Sequence, residues 1–256
     1  MSLHVIYEDE TLVAIDKPPR RLVHRSYLAR HERSVMEDLR DQLGAWVYPV
    51  HRLDRPTSGV LLFAKSSEVA RVLSGSFERQ EVTKRYVALV RGWVHEPFTV
   101  DRPLKEPHDK LGDTLSDPER PAQEAKSFFA PLERLELPVS FGRFPTARYS
   151  LVEARPHTGR RHQLRRHLHG ATHPIIGDTS YGRTEHNRYF RERWGSDRLL
   201  LASVELSLAH PTSGQTLTLR APISGDFERL IRDLWSASSE QETLIERINI
   251  GSHSSL

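Results

Sequence analysis

The distribution of apolar and polar residues divides the chain into short strands and amphipathic helices. Strands are predicted where apolar residues form compact runs or alternate with polar ones. They cover residues 3–6, 11–15, 46–50, 60–64, 84–92, 126–137, 146–154, 198–208 and 215–221. Helices are predicted where apolar residues recur at helical spacing, over 34–43, 66–81 and 224–235, from Thr158 or Gly159 to Leu168, and briefly within 184–196.

Cap residues predict where the first helix begins and ends. Ser34 is predicted to be its N-cap, because Glu37 stands three residues later and completes a capping box. Gly44 is predicted to end it.

Two segments depart from these patterns. Residues 96–125 are rich in proline and charged residues, which predicts an irregular, exposed insertion. Residues 236–256 are polar and serine-rich, and we expect either a mobile tail or an appended helix without chemistry. The remaining residues, 1–235, are predicted to form one domain.

Composition excludes several classes of protein. The 256 residues contain no cysteine, so disulfides and thiolate metal sites are impossible. The N-terminus lacks the features of a signal peptide, and no apolar stretch approaches the length of a membrane span. We therefore expect a cytoplasmic protein that has no membrane partner.

The charge is distributed unevenly. The whole chain carries a net charge of only +3. Between Arg143 and His169, however, seven arginines stand against a single acid, Glu153. Clustered arginines are typical of proteins that bind a phosphate backbone, so a nucleic-acid partner is predicted.

One acidic residue stands out within the most unusual stretch. Residues 51–59 read His-Arg-Leu-Asp-Arg-Pro-Thr-Ser-Gly, and apolar segments precede and follow them. Asp54 is therefore predicted to lie on a short loop between two buried strands. Positive charge from Arg52 and Arg55 would keep it ionised, which suits a nucleophile. In an arbitrary loop, a salt-bridged aspartate without a catalytic role would be the commoner interpretation.

Two further stretches carry candidate chemistry. Residues 84–92 read Lys-Arg-Tyr-Val-Ala-Leu-Val-Arg-Gly, a strand that presents Tyr86 on one face, where it could stack on a base or pack in the core. Residues 156–168 form a basic segment that contains Arg160, Arg161, Arg165 and Arg166. Its histidines lack the spacing and carboxylates of a metal site, so no metal is predicted.

These three stretches together resemble the RluA-type pseudouridine synthase family. The matching motifs are His-Arg-Leu-Asp-x-x-Thr-Ser-Gly, Lys-x-Tyr-x-Ala-x-Val-x-Gly and Thr-Gly-Arg-x-His-Gln-Leu-Arg-x-His. The resemblance implies that Asp54 is the catalytic nucleophile, Tyr86 stacks on the target uracil and Arg165 pairs with Asp54. A fourth match, the Asp-Lys-Pro of residues 16–18, is implied to pack beneath the active site.

The resemblance also implies the fold and the RNA contacts. It implies an α+β protein with the pseudouridine synthase fold, in which helices flank a central, mixed, mostly antiparallel sheet crossed by a catalytic cleft. Arg52 is implied to enter the RNA helix where the flipped base was. Arg55, Arg160, Arg161 and Arg166 are the other expected RNA contacts. The isomerisation needs no energy input or redox step, so no cofactor is implied, and we expect a monomer.

Substrate choice rests on finer details. Pro56 and the two arginine pairs, Arg160-Arg161 and Arg165-Arg166, are similar to the tRNA-modifying members of the family. This similarity implies that the target is uridine 65 in the T stem of tRNA. The alternatives are a synthase of ribosomal RNA, a non-catalytic RNA-binding module, and a carboxylate glycosidase. The glycosidase would need a second partnered acid. Ala202-Ser203 stands where the family usually has His-Ala.

Overall fold

A computed structural model describes residues 2–25, 31–106, 121–236 and 241–250 of the chain. The strands of these residues form one ten-stranded sheet in the order β1-β2-β4-β9-β5-β8-β7-β6, with β10 beside β9 and β3 beside β4. Their bounds are β1 His4–Glu8, β2 Leu12–Lys17, β3 Tyr48–Pro49, β4 Ser58–Ala64, β5 Thr83–Arg91, β6 Phe98–Asp101, β7 Lys126–Leu137, β8 Ala147–Pro156, β9 Leu201–Ala209 and β10 Thr216–Arg220. Only β4 and β9 pair in parallel among them, so the predicted mixed, mostly antiparallel sheet is confirmed.

Six helices of the described residues flank this sheet. They are α1 Val35–Leu43, α2 Ser67–Glu78, α3 Gln163–Gly170, α4 Thr184–Trp194, α5 Gly225–Leu234 and α6 Gln241–Ile250. The predicted cap of α1 is confirmed, because Ser34 and Glu37 form the reciprocal capping box and Gly44 follows in the left-handed conformation.

Alternation along β5 assigns its side chains to two faces of the sheet. Ala88 and Val90 pack in the cluster that contains α3. Val87 and Leu89 pack in the opposite cluster, which contains α5 and α6. Tyr86 shares the α3 face and also contacts the cluster around α1. The functional candidates on β5 therefore face α3.

The parallel contact between β4 and β9 joins two halves of the sheet. Ser58 and Gly59, which directly follow the Asp54 loop, pair with Ala202 and Ser203. A Cβ atom on Gly59 would lie 2.0 Å from the Ser203 carbonyl oxygen. The strands approach so closely here because position 59 is glycine. The Ala202-Ser203 departure from the family pattern therefore lies against the strand that follows Asp54.

Several expected boundaries differ from the structure. Residues 46–50 were expected to be a buried strand, but β3 has only two residues and Trp46 is 68% exposed. The Arg40 guanidinium lies 4.1 Å from the centre of the Trp46 ring, so this ring makes a cation–π contact at the surface. Within the predicted insertion, β6 pairs with β7, and Leu104 bridges to Gln123. Residues 107–120 lie outside the described residues.

The C-terminal segment contains a packed helix. Leu244, Ile245 and Ile248 of α6 are buried against the sheet, so of the two expectations for this segment the appended helix is the one observed. Residues 237–240 and 251–256 lie outside the described ranges. Across the described parts of the chain, no helix has the length and apolar character that crossing a bilayer requires.

Candidate active site

The loop that carries Asp54 is supported from below by a buried lysine. The Thr57 amide donates to the Asp54 carbonyl oxygen at 3.0 Å and closes a turn. Lys17 has no exposed surface, and its Nζ donates to the carbonyl oxygens of Pro18 at 2.9 Å and Arg55 at 3.2 Å. Burial lowers the pKa of Lys17 to about 7. The Asp-Lys-Pro motif thus packs beneath the loop, as the resemblance implied.

Arg165 reaches Asp54 from α3. Its Nη1 donates to Asp54 Oδ2 at 3.3 Å, while its Nε and Nη2 donate to both carboxylate oxygens of Asp178, at 2.7 and 2.9 Å. The bidentate bond therefore goes to Asp178, and the third donor goes to Asp54. Arg165 and Asp178 are almost completely buried, whereas the Asp54 side chain is 17% exposed.

Asp178 is a member of this site to which the sequence reasoning gave no role. Burial alone would raise its pKa, but the Arg165 guanidinium and the amides of Tyr181 and Ser180 hold the pKa of Asp178 below its usual value. The signal for it was available in principle, because a buried arginine requires a carboxylate partner. Residue spacing did not indicate which acid supplies it.

Tyr86 and Asp54 line the same cavity, whose volume is about 480 Å³. This size falls within the range of pockets that enclose small organic molecules. Burial, together with the negative charge of Asp54, raises the pKa of Tyr86 to about 12. Tyr86 is therefore a neutral phenol at physiological pH.

Positive side chains dominate the lining of this cavity. Three of its lining residues are acids: Asp54, Glu78 and Glu106. Seven are cations: Arg52, Lys84, Lys105, Arg160, Arg161, Arg165 and Arg166. The excess positive charge suits a polyanionic ligand.

The predicted arginines occupy different positions. Arg52 is exposed and lines the cavity. Arg161, which is partly buried, also lines the cavity. Arg55 does not flank Asp54 as expected, because it turns outward to the Arg20 carbonyl oxygen and to Glu32. The guanidinium that donates to Asp54 is that of Arg165, the arginine that the resemblance indicated.

Two other arginines connect α3 to the predicted insertion. Arg160 Nε donates to the Glu124 carbonyl oxygen at 2.9 Å, and Arg166 Nη1 donates to the Lys105 carbonyl oxygen at 2.7 Å. The two ends of the insertion therefore form a wall of the cavity.

The turn before α3 is held by a buried amide. The helix begins at Gln163 and not at Thr158 or Gly159 as predicted, since His162 adopts a left-handed backbone conformation with φ of 55°. Gln163 Oε1 accepts from the Thr158 hydroxyl at 2.7 Å and from the Arg160 amide at 2.9 Å. These bonds replace a first helical turn. Arg161 and His162 consequently do not share helical faces with Arg165 and Arg166.

The histidines of this region bind separate partners. His162 contacts the Tyr181 hydroxyl, His167 contacts Ser127, and His173 contacts the Arg91 carbonyl oxygen. Within the described ranges, no group of three or more histidine and acidic side chains is arranged to hold a metal ion.

Comparison with known proteins identifies the family. The chain matches the family model described as RNA pseudouridylate synthase over residues 11–170, more than half of its length. This chain belongs to the RNA pseudouridylate synthase family. The activity class predicted from the three motifs, an isomerase acting on RNA, is thereby confirmed.

Similar pseudouridylate synthases cover nearly all of the chain. It is 47% identical over 238 residues to the tRNA pseudouridine synthase C of Vibrio cholerae, and the matched region covers 92% of this chain and 98% of that protein. It is 50% identical over 236 residues to the protein of the same name from Yersinia pestis, with 91% and 92% covered.

Solved structures of pseudouridylate synthase domains confirm the predicted fold. Human RNA Pseudouridylate Synthase Domain Containing 1 matches with a TM-score of 0.66 and 23% identity over 87% of this chain and 84% of that chain. Human RNA Pseudouridylate Synthase Domain Containing 4 also matches with a TM-score of 0.66 and 23% identity, over 90% and 92%.

Proposed function

We propose that this pseudouridylate synthase converts uridine 65 in the T stem of tRNA to pseudouridine. The observation that carries the proposal is a carboxylate, Asp54, held by one guanidinium in a basic cavity that also contains an aromatic ring. Support for tRNA comes from the relatives named tRNA pseudouridine synthase C, which this chain matches over nearly their whole length. Position 65 rests on the motif resemblance.

The reaction breaks the bond between N1 of uracil and C1′ of ribose, turns the base, and joins C5 to C1′. The C5 proton is lost and N1 takes up a proton, so the product is an isomer of the substrate. Asp54 acts on the flipped nucleotide, either by attack at C1′ or C6 or by stabilising a cationic sugar while a proton leaves C2′. Arg165 holds the carboxylate in the orientation that this step requires. Because Asp178 fixes two other donors of Arg165, the guanidinium cannot turn away.

Tyr86 stacks on the uracil in this proposal. The base must leave the RNA helix to enter the cavity, which costs a few kcal/mol. Stacking on an aromatic ring contributes about 1–3 kcal/mol of binding free energy, which offsets part of this cost. Arg52, at the exposed side of the cavity, enters the gap that the base leaves. The enzyme acts in the cytoplasm as a monomer and needs no metal or cofactor, since the isomerisation involves neither hydrolysis nor redox chemistry.

The test replaces the carboxylate by its isosteric amide. With tRNA containing 5-tritiated uridine, Asp54→Asn should slow tritium release by about 1,000-fold or more, because the amide can neither attack nor stabilise positive charge. Asp197→Asn is the matched control, since Asp197 is an exposed partner of Arg20. Tritium release by Asp54→Asn at near wild-type rate would refute the role of Asp54.

The substrate is tested separately. Carbodiimide mapping of pseudouridine in total RNA, with and without the gene, should show loss of the modification at tRNA position 65 alone. Loss at a ribosomal RNA position instead would identify a ribosomal synthase. No change in any RNA would favour a non-catalytic RNA-binding protein.

A further inference from the structure

Lys84 stands beside the proposed base-stacking ring. It precedes Tyr86 by two positions on β5, so the two side chains project from the same face about 7 Å apart along the strand. Both side chains line the cavity. The Lys84 Nζ donates to the Thr158 carbonyl oxygen at 3.3 Å, in the turn before α3.

The charge of Lys84 lacks a carboxylate partner among the described residues. Two other lysines of the described chain have one: Lys65 binds Glu8 at 2.7 Å, and Lys126 lies 3.6 Å from Asp101. The completely buried Lys17 is held instead by two carbonyl oxygens. Lys84 is half-buried, and burial lowers its pKa to about 8. A partly desolvated ammonium held by a single carbonyl is unfavourable unless a ligand brings the missing negative charge.

Three other cations of the cavity wall donate to acceptors in the protein. Arg165 is held by Asp178, and Arg160 and Arg166 donate to backbone carbonyl oxygens. Lys84 likewise donates to one backbone carbonyl oxygen, and two of its three N–H donors have no partner in the described structure, next to the ring that would receive a base.

We propose that Lys84 binds a backbone phosphate flanking the flipped nucleotide. This rests on the proposed function, which places the uracil on Tyr86 and the ribose at Asp54. The offset between Lys84 and Tyr86 along β5 is comparable with the separation of base and phosphate within one nucleotide. The Lys84 ammonium and that phosphate form the charge pair that the free enzyme lacks. Lys84 thereby recognises an extruded nucleotide, because a phosphate reaches it only when the base occupies the cavity.

The test combines protein variants with uncharged linkages in the RNA. Stem–loop RNAs of the T arm carry 2′-fluoro sugars at the target uridine and its 5′ neighbour, so that the RNA binds without reacting and an uncharged linkage is stable. A single methylphosphonate replaces the phosphate on the 5′ side, on the 3′ side, or on neither. Dissociation constants are measured by fluorescence anisotropy for the full-length wild type, Lys84→Met, Lys84→Arg and Lys65→Met.

The expected result is a loss that is not additive. A methylphosphonate at one of the two linkages weakens wild-type binding by about 10- to 100-fold, the range for a hydrogen bond to a charged group. Lys84→Met shows the same loss with the all-phosphate RNA and no further loss with the methylphosphonate. Lys84→Arg keeps most of the affinity and the sensitivity. Lys65→Met behaves as wild type.

Either of two results would refute the role of Lys84. If Lys84→Met is as sensitive as wild type to both methylphosphonates, or binds the all-phosphate RNA as tightly as wild type does, Lys84 does not bind this phosphate. Tritium release from unmodified tRNA is measured alongside. Its absence in wild type would refute the proposed function, whereas normal release with equal sensitivities refutes the role of Lys84 alone.

Discussion

Arg165 shows how one guanidinium can serve two carboxylates unequally. Its bidentate bond to Asp178 is buried and short, and its bond to the partly exposed Asp54 is longer, at 3.3 Å. The first bond fixes the plane of the guanidinium, and the second leaves the Asp54 carboxylate accessible from the cavity. An arginine with no other partner would have more freedom to move, so Asp178 is what keeps Arg165 directed at Asp54.

His51 provides a titration that can be tested. Its Nε2 accepts a hydrogen bond from the Leu62 amide at 3.0 Å, and its ring stacks on Phe77. Burial, with a smaller contribution from the charge of Lys84, lowers the pKa of His51 to about 3. A protonated Nε2 would face another donor, so the folded state requires the neutral ring.

This histidine should make stability depend on pH in acid. The unfolded state gains a proton near pH 6.5, whereas the folded state resists until about pH 3. Its contribution is therefore complete above pH 6.5 and is lost as the pH falls toward 3. Relative to His51→Gln, whose amide oxygen can accept from Leu62, the wild type should lose about 1.4 kcal/mol of unfolding free energy per pH unit between 6 and 4. Urea unfolding across this range measures the difference.

A surface histidine gives the control. His157→Gln, at an exposed position, should follow the wild-type curve. Parallel curves for wild type and His51→Gln would contradict the assignment of a neutral, accepting His51.

At the scale of elements, α6 supports β5 from behind. Arg85 follows Lys84 on β5 and points to the opposite face, where its Nη2 donates to the Ile248 carbonyl oxygen at 2.7 Å. Its Nη1 lies 3.5 Å from the buried Glu153 carboxylate. The end of α6 thus supplies a hydrogen-bond acceptor to a buried guanidinium beside the cavity-lining residues of β5. The helix is part of the folded domain.

Shortening a buried side chain of α6 should therefore destabilise the whole domain. Ile248 is completely buried, so Ile248→Ala should lower the free energy of unfolding by about 2–4 kcal/mol through the cavity that it leaves. Val72→Ala, at a 49% exposed position of α2, should change it by less than about 0.5 kcal/mol. Equal, small effects of both variants in urea unfolding would mean that α6 does not contribute to the stability of the domain.

At the scale of the molecule, the site lies where two halves of the sheet meet. The Asp54 loop enters β4, whose first residues pair with β9, and β9 in turn pairs with β5, which carries Tyr86. Asp54 and Tyr86 are therefore positioned through one continuous sheet. The close approach at Gly59 makes this arrangement possible.

A methyl group at this contact should disturb both halves. In Gly59→Ala the new Cβ would lie 2.0 Å from the Ser203 carbonyl oxygen, at a φ of +106°. We expect a loss of about 3–5 kcal/mol of unfolding free energy and reduced tritium release, since the strands must separate. Thermal unfolding and the tRNA assay measure the two effects.

Gly75→Ala is the control, because its Cβ would meet only the flexible end of the Arg79 side chain. If Gly59→Ala is as stable and active as Gly75→Ala, the β4–β9 contact does not position the loop.

Local pattern determined most of the elements and the family. Alternation and helical spacing predicted the strands of the main sheet and the cap of α1, because these depend on neighbours within a few residues. Three motifs indicated a pseudouridine synthase, and the family and fold are confirmed. The catalytic roles of Asp54, Tyr86 and Arg165 and the RNA contacts of the other arginines stay predictions, although the structure brings those three residues to one cavity.

Long-range contacts decided what local pattern could not. The start of α3 depends on the bonds of Gln163 to the preceding turn, and the orientation of Arg165 depends on Asp178. Sequence proximity suggested that Arg52 and Arg55 act on the charge of Asp54, yet in the folded chain Arg55 turns outward. The arginine that donates to Asp54 is Arg165, which only the motif resemblance had indicated. Charge pairing acts through space, so which arginine meets which carboxylate is decided only when the strands and helices have packed together.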